Sequence, residues 1–219
     1  MLVQIYEVQT PDEGVALARL GVDHIGVLVG DGAFPRELSA ARAATIFAAL
    51  PPRSKRLALS LSADPEEVRR VVDETRPDII HIGAAPELFS VAATQALKTE
   101  FPGALIMRAI PILGEESVEL ARAYRGVADL LLLDSHDPGD RQIGARGRTH
   151  DWRISRRIVD EVGIPAILAG GLDADNVGDA IAAVRPAGVD SKTKTDLADG
   201  SGKDLEKVRR FVDAARLTR

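Results

Sequence analysis

The chain contains no cysteine. That excludes disulfides, thiolate metal sites and a cysteine nucleophile, and it is consistent with a reducing compartment. Aromatic residues make up only 4% of the sequence, so the core must be built from Ala, Val, Leu and Ile, and there is no platform for stacking bases. An excess of positive charge is missing as well. The formal net charge of -5 argues against a nucleic-acid partner. No apolar run approaches the ~20 residues that cross a bilayer, and no basic segment followed by an apolar one opens the chain. A cytoplasmic protein without a membrane partner is the expectation. The four histidines fall in four separate segments without ligand spacing, so no metal is expected, and no motif calls for a cofactor.

What is present is a regular alternation. Short apolar runs at residues 2–8, 23–29, 55–61, 78–82, 104–110, 128–133, 165–169 and 187–190 read as strands. Between and after them, segments at 11–21, 39–50, 62–75, 86–100, 114–124, 152–162, 173–184 and 204–215 carry helix signals. Thr10-Pro11-Asp12-Glu13 is one such start, with a capping threonine, proline in the first turn and an acid three residues after the cap. No shift of composition marks a linker, so residues 1–219 read as one domain. Strict alternation implies a parallel sheet, and eight units close it into an α/β (β/α)8 TIM barrel. The alternative, an open doubly wound sheet, often carries a glycine-rich turn after its first strand. Here that turn is Glu7-Val8-Gln9-Thr10-Pro11, without glycine.

Residues 128–152 are the stretch around which the chain is organised. The run Leu130-Leu131-Leu132-Leu133 suits a strand buried on both faces, and it stops at a carboxylate, Asp134. A glycine-rich loop follows with His136, Asp137, Arg146 and Arg148, and Thr149 or Asp151 is placed to cap the next helix. An acid at the carboxyl end of a buried strand, before a long loop, sits where barrels place their chemistry. The plainer reading is a surface aspartate that ends a strand.

The other strand ends complete a candidate site: Tyr6, Glu7 and Gln9 from the first, Arg36 from the second loop, Ser60 and Ser62, His81 and Gly83, Arg108, His136, and Asp190 from the eighth. Gly170-Gly171 and the segment Ser191-Lys192-Thr193-Lys194-Thr195 look like anion chemistry, with backbone N–H groups, hydroxyls and a point charge after strands seven and eight. They point to a small phosphorylated substrate. His24 and His150 are given no role. His81 is equally a ligand-facing group or a satisfied core histidine.

Five segments carry a resemblance: AFPRELS at 33–39, LLLD at 131–134, GARGRTHDW at 144–152, PAILAGGLDADNV at 165–177 and AAVRPAGVD at 182–190. Through them, over nearly its whole length, the chain resembles phosphoribosylanthranilate isomerase, the (β/α)8 enzyme family of tryptophan synthesis. The resemblance implies an Amadori rearrangement: a general acid opens the ribose ring, and a general base takes the proton from the adjacent sugar carbon. It implies that Asp134 is the acid, that Gly170-Gly171 and residues 191–195 hold the phosphate, and that Arg36 lies near the anthranilate carboxylate. A monomer or a homodimer is expected.

The departures are specific. The family's first strand ends Lys-Ile-Cys-Gly with the cysteine as base, and here the residues are Gln4-Ile5-Tyr6-Glu7. The family's Gln-Leu-His-Gly reads His81-Ile82-Gly83-Ala84, and its Ser-Ser-Gly-Val-Glu reads Ser191-Lys192-Thr193-Lys194-Thr195. An acid and a scaffold are kept while the base and the anion loop are rewritten, which predicts a related proton-transfer isomerase with a changed substrate. Glu7 is the expected substitute base, with Tyr6 or His81 behind it. A phenol, with its ordinary pKa of about 10, is protonated at neutral pH, and Glu7 faces away from Tyr6 on an unbulged strand. The competing readings are a lyase or aldolase using Lys192 or Lys194 as an amine nucleophile, and a non-catalytic binder of a phosphorylated ligand.

Overall fold

The computed structural model describes residues 1–136 and 149–218. Among them eight strands alternate with eight α-helices. The strands are β1 (Leu2–Ile5), β2 (His24–Leu28), β3 (Lys55–Ser60), β4 (Ile79–Ile82), β5 (Leu105–Pro111), β6 (Leu130–Asp134), β7 (Ala166–Leu168) and β8 (Gly188–Ser191). The helices are α1 (Pro11–Arg19), α2 (Ala40–Ala49), α3 (Pro65–Thr75), α4 (Val91–Glu100), α5 (Glu116–Ala123), α6 (Trp152–Val162), α7 (Val177–Val184) and α8 (Leu205–Leu217). Each strand pairs in parallel with the next, and β1 pairs with β8, so the sheet closes as the expected (β/α)8 barrel. No helix among the described residues is long and apolar enough to cross a membrane.

Alternation along the strands divides the core in two. Tyr6, Leu28, Leu57, Leu59, Ile79, Met107, Leu130, Leu132, Ile167 and Ala169 fill the barrel interior. The residues between them on the strands, such as Ile5, Ile80, Ile106, Leu131 and Val189, join the larger layer beneath the helices. Three aspartates tie the amino-terminal end together in the same way. Asp23, Asp78 and Asp129 precede β2, β4 and β6, and each accepts the N–H of a residue on the strand before, Val3, Arg56 and Ile106, at 2.8–2.9 Å.

Helix starts follow the side chains that cap them. Thr10, Ser39, Asp64, Ser90, Asp151 and Asp204 each accept a backbone N–H of the first turn. The two latest starts relative to the sequence pattern are those of α4 and α7. The segment from Pro86 forms a turn that buries Phe89, and the helix waits for Ser90. At Asp173 the carboxylate accepts the N–H groups of Asp175 and Asn176, while the Asn176 amide oxygen accepts the N–H of Asp173. That closed local network outcompetes the first helical turn until Val177. Strand β1 ends earlier than expected, at Ile5, because Glu7 has left-handed backbone torsion, φ 62°.

Candidate active site

The barrel axis carries two polar groups among its apolar side chains. At the seam of β8, β1 and β2, the register sets Gln4 beside Asp190 on one side and His24 on the other. The His24 Nδ1–H donates to the Gln4 amide oxygen at 3.1 Å, and the Gln4 amide N–H donates to Asp190 Oδ1 at 3.2 Å. Burial holds the His24 pKa below its ordinary value. Gln4 was no candidate in the sequence, because one amide within an apolar strand carries no signal until its neighbours are known.

The second group is Tyr6 with His81. The Tyr6 ring enters the barrel over Gly26, where an added Cβ would lie 2.3 Å from the ring. Its phenol oxygen is 2.5 Å from His81 Nδ1 and 3.8 Å from the Met107 sulfur. Burial, followed by the charges of Asp190 and Asp134, raises the phenol pKa well above its ordinary value. Burial, followed by the Arg108 charge, lowers His81 to about 3. At neutral pH the pair is therefore an un-ionised phenol against a neutral imidazole. His81 is 3% exposed and serves the interior rather than a ligand, the second of its two sequence readings.

Arg108 is a correction. Expected to bind substrate, it lies outside the barrel wall with no exposed surface. Its guanidinium donates to the carbonyls of Ile82 and Ala84 at 2.7 Å, to that of Phe89 at 3.2 Å and to the Tyr124 hydroxyl at 3.1 Å. Alternation explains the miss: Met107 and Ala109 point inward, so Arg108 points to the helices. The charge is used up in holding the turn before α4.

At the barrel mouth the left-handed torsion of Glu7 ends the strand's alternation, so its carboxylate no longer faces opposite to Tyr6. It lies 3.0 Å from Arg36 Nε and 3.2 Å from Lys192 Nζ. Arg36 also donates to the Glu7 carbonyl at 2.8 Å and to that of Gly200. Glu7 and Lys192, both departures from the family motifs, are thus partners in space. Among the described residues, no group of three His, Asp or Glu side chains comes together in a form that could hold a metal ion.

Beside this cluster, Asp134, Gly170, Gly171, Leu172, Asp190, Ser191, Lys192, Thr193 and Lys194 line one pocket. Neither Tyr6 nor Glu7 is in that lining. Asp134 ends β6 pointing inward and 7% exposed, with Oδ1 accepting from the Ser135 N–H at 2.7 Å. Gly170 and Gly171 have φ of 89° and 64°, torsions that only glycine adopts without strain, and the Asn176 side chain pins the Gly171 carbonyl at 3.0 Å. The Ser191 hydroxyl is spent on the Leu172 carbonyl at 2.8 Å, which leaves Thr193 as the exposed hydroxyl of the loop. Thr193–Thr195 form a single 3-10 turn, and Lys194 is 4.0 Å from Asp173. Asp190, the strand-eight member of the expected cluster without a role of its own there, closes a short apolar run just as Asp134 does. Burial, and next the Asp134 charge, push its pKa up to about 8.

His136 is half-buried and outside this lining, with no hydrogen-bond partner for its Nδ1 among the described residues. Asp137, Arg146 and Arg148 lie outside the described residues. Of the two capping candidates, Asp151 takes the role by accepting the Arg153 N–H at 2.9 Å.

Comparison with known proteins matches this architecture throughout. The family model for N-(5'-phosphoribosyl)anthranilate isomerase matches residues 24–214. A protein of that name from Methanocella arvoryzae is 36% identical over 218 residues, covering 99% of both chains. One from Haloferax volcanii is 33% identical over 99% of this chain and 94% of its own. The solved structure of the Pyrococcus furiosus protein of that name superposes with a TM-score of 0.79 at 25% identity over 99% of both chains. With a closed eightfold barrel, an aspartate ending β6 and a glycine pair after β7, matched along its whole length by these relatives, the chain belongs to the N-(5'-phosphoribosyl)anthranilate isomerase family.

Proposed function

We propose that the chain catalyses the aldose-to-ketose (Amadori) isomerisation of N-(5'-phosphoribosyl)anthranilate, the substrate stated in its relatives' name. The observation that carries this reading is the shared pocket: Asp134 lies with Gly170, Gly171 and residues 191–194, so an acid and an anion cradle face one small volume. Backbone N–H groups of the glycine pair, the Thr193 hydroxyl and the cation of Lys192 take the 5-phosphate. Asp134 then gives its proton to the ribose ring oxygen.

The rewritten first strand, taken by itself, points to a changed substrate. Full-length likeness to isomerases supports the family substrate instead, with the rewritten residues changing how a proton is moved. The lyase reading needs a neutral amine on Lys192 or Lys194. Lys192 lies 3.2 Å from the Glu7 carboxylate and Lys194 4.0 Å from that of Asp173, so each amine is engaged by a carboxylate. A pure binding role leaves the acid in the anion pocket without a purpose. With the isomerase reading go a cytoplasmic location and either a monomer or a homodimer.

The test is direct. Purified protein should convert N-(5'-phosphoribosyl)anthranilate to its ketose isomer, and Asp134→Asn should lose at least ~100-fold while keeping its fold. Borohydride added with substrate should leave the protein unlabelled. Absence of conversion, or covalent trapping, would overturn the proposal.

A further inference from the structure

An Amadori isomerase needs two proton-transfer groups, and the two side chains that stand where the family's first strand places its base do not line the pocket. Tyr6 is turned into the barrel against His81, and Glu7 is engaged by Arg36 and Lys192. A second carboxyl does line it. Asp190 is the last residue but one of β8 and Asp134 the last of β6, both side chains point inward, and both border the same pocket as the glycine pair.

Resting on the isomerase reading, we propose that Asp190 is the catalytic base and that it works with Asp134 as a pair holding one proton between them. The pair rests with its proton on Asp190 and reacts from the form with the proton on Asp134. Asp134 gives it to the ring oxygen as the C1–O bond breaks, while the nitrogen lone pair forms the iminium. Asp190 then takes the proton from C2, and the C–H electron pair becomes the C1=C2 bond of the enolamine while the nitrogen regains its lone pair. The enolamine gains a proton at C1 from Asp190 and loses its hydroxyl proton to Asp134. The ketose leaves with both carboxyls as they began, and no oxidant or co-reactant is consumed.

The first step prepares the second. Two neighbouring carboxylates resist being ionised together, so loss of the shared proton from Asp134 makes Asp190 more basic. In that state, beside a charged Asp134, its pKa is about 8, suited to a base at neutral pH. The groups that face Asp190 are Asp134 from β6, Tyr6 and Glu7 from the end of β1, and Lys203 from the loop before α8, besides the uncharged Gln4. Lys203 is itself paired with Asp196 at 2.6 Å, which limits its pull on Asp190. Gln4 stands where the family motif has lysine, and it binds Asp190 without bringing a full charge that would weaken it as a base.

The experiment uses the full chain with N-(5'-phosphoribosyl)anthranilate in deuterated buffer. Asp190→Asn keeps a group that accepts from Gln4, and it should fold yet lose at least ~100-fold in turnover and in solvent exchange at C2. Gln4→Lys should shift the low-pH limb of the rate profile toward acid, which a purely structural contact would not do. Carbon-13 spectra of aspartate-labelled protein should show one carboxyl titrating near 8, and Asp134→Asn should move it down. Full activity in Asp190→Asn, or no carboxyl titrating above the ordinary range, would overturn the Asp190 assignment and leave the isomerase reading intact. A wild-type protein without turnover would overturn the isomerase reading and this proposal with it.

Discussion

The Tyr6 phenol oxygen lies 2.5 Å from His81 Nδ1 in the centre of the barrel, its ring filling the space above Gly26. The residue at the family's cysteine position has thus become part of the core. Tyr6→Phe should keep turnover within ~10-fold, well short of the loss expected for a missing base. It should destabilise by ~1–3 kcal/mol, because His81 is left without its partner. Gly26→Ala should destabilise by ~1–3 kcal/mol through overpacking, and less so on a Tyr6→Leu background. Urea unfolding and steady-state assays read both. A 100-fold loss of turnover in Tyr6→Phe would return the phenol to the chemistry.

Glu7 and Lys192 are 3.2 Å apart, with Lys192 also in the lining of the anion pocket. The carboxylate therefore competes with a bound phosphate for the same ammonium. Glu7→Gln should tighten phosphate or sulfate binding, and Lys192→Gln should weaken it, with the difference shrinking at high salt. Calorimetric titration with inorganic phosphate measures both. Turnover of Glu7→Gln should stay within ~10-fold of wild type, since two cations already occupy the carboxylate. A drop of ~100-fold or more would make Glu7 the base.

Two buried groups impose opposite pH dependences on stability. His81 falls from an ordinary 6.5 to about 3 in the folded protein, so between those values the unfolded chain binds more protons and stability is lost as pH falls. Asp190 rises from 3.8 to about 8, so the folded chain binds more protons and stability is lost as pH rises through that window. Each contributes on the order of 1 kcal/mol per pH unit. Between pH 6.5 and 8 the Asp190 contribution stands alone of the two, so Asp190→Asn should show a flatter stability profile there than wild type. His81→Gln should resist acid better between pH 6.5 and 3. Chemical denaturation at a series of pH values checks both signs, and parallel profiles for wild type and Asp190→Asn would contradict the buried-proton account.

The amino-acid sequence by itself determined the barrel, because eight apolar runs alternating with capped helices have few other ways to bury their apolar faces. It also marked Asp134 and Gly170-Gly171, since an acid or a glycine pair that ends a buried strand is a local signal. What only the tertiary structure decided was direction and company. Register turned Arg108 toward the helices and His81 toward Tyr6, and a left-handed torsion at Glu7 moved its carboxylate to Arg36 and Lys192. Closure of β8 against β1 set Asp190 beside Gln4. Those partners are separated by as many as 186 residues. A side chain's face depends on a period of two that a single slip inverts, and its acidity depends on burial and on charges brought near only when the barrel closes.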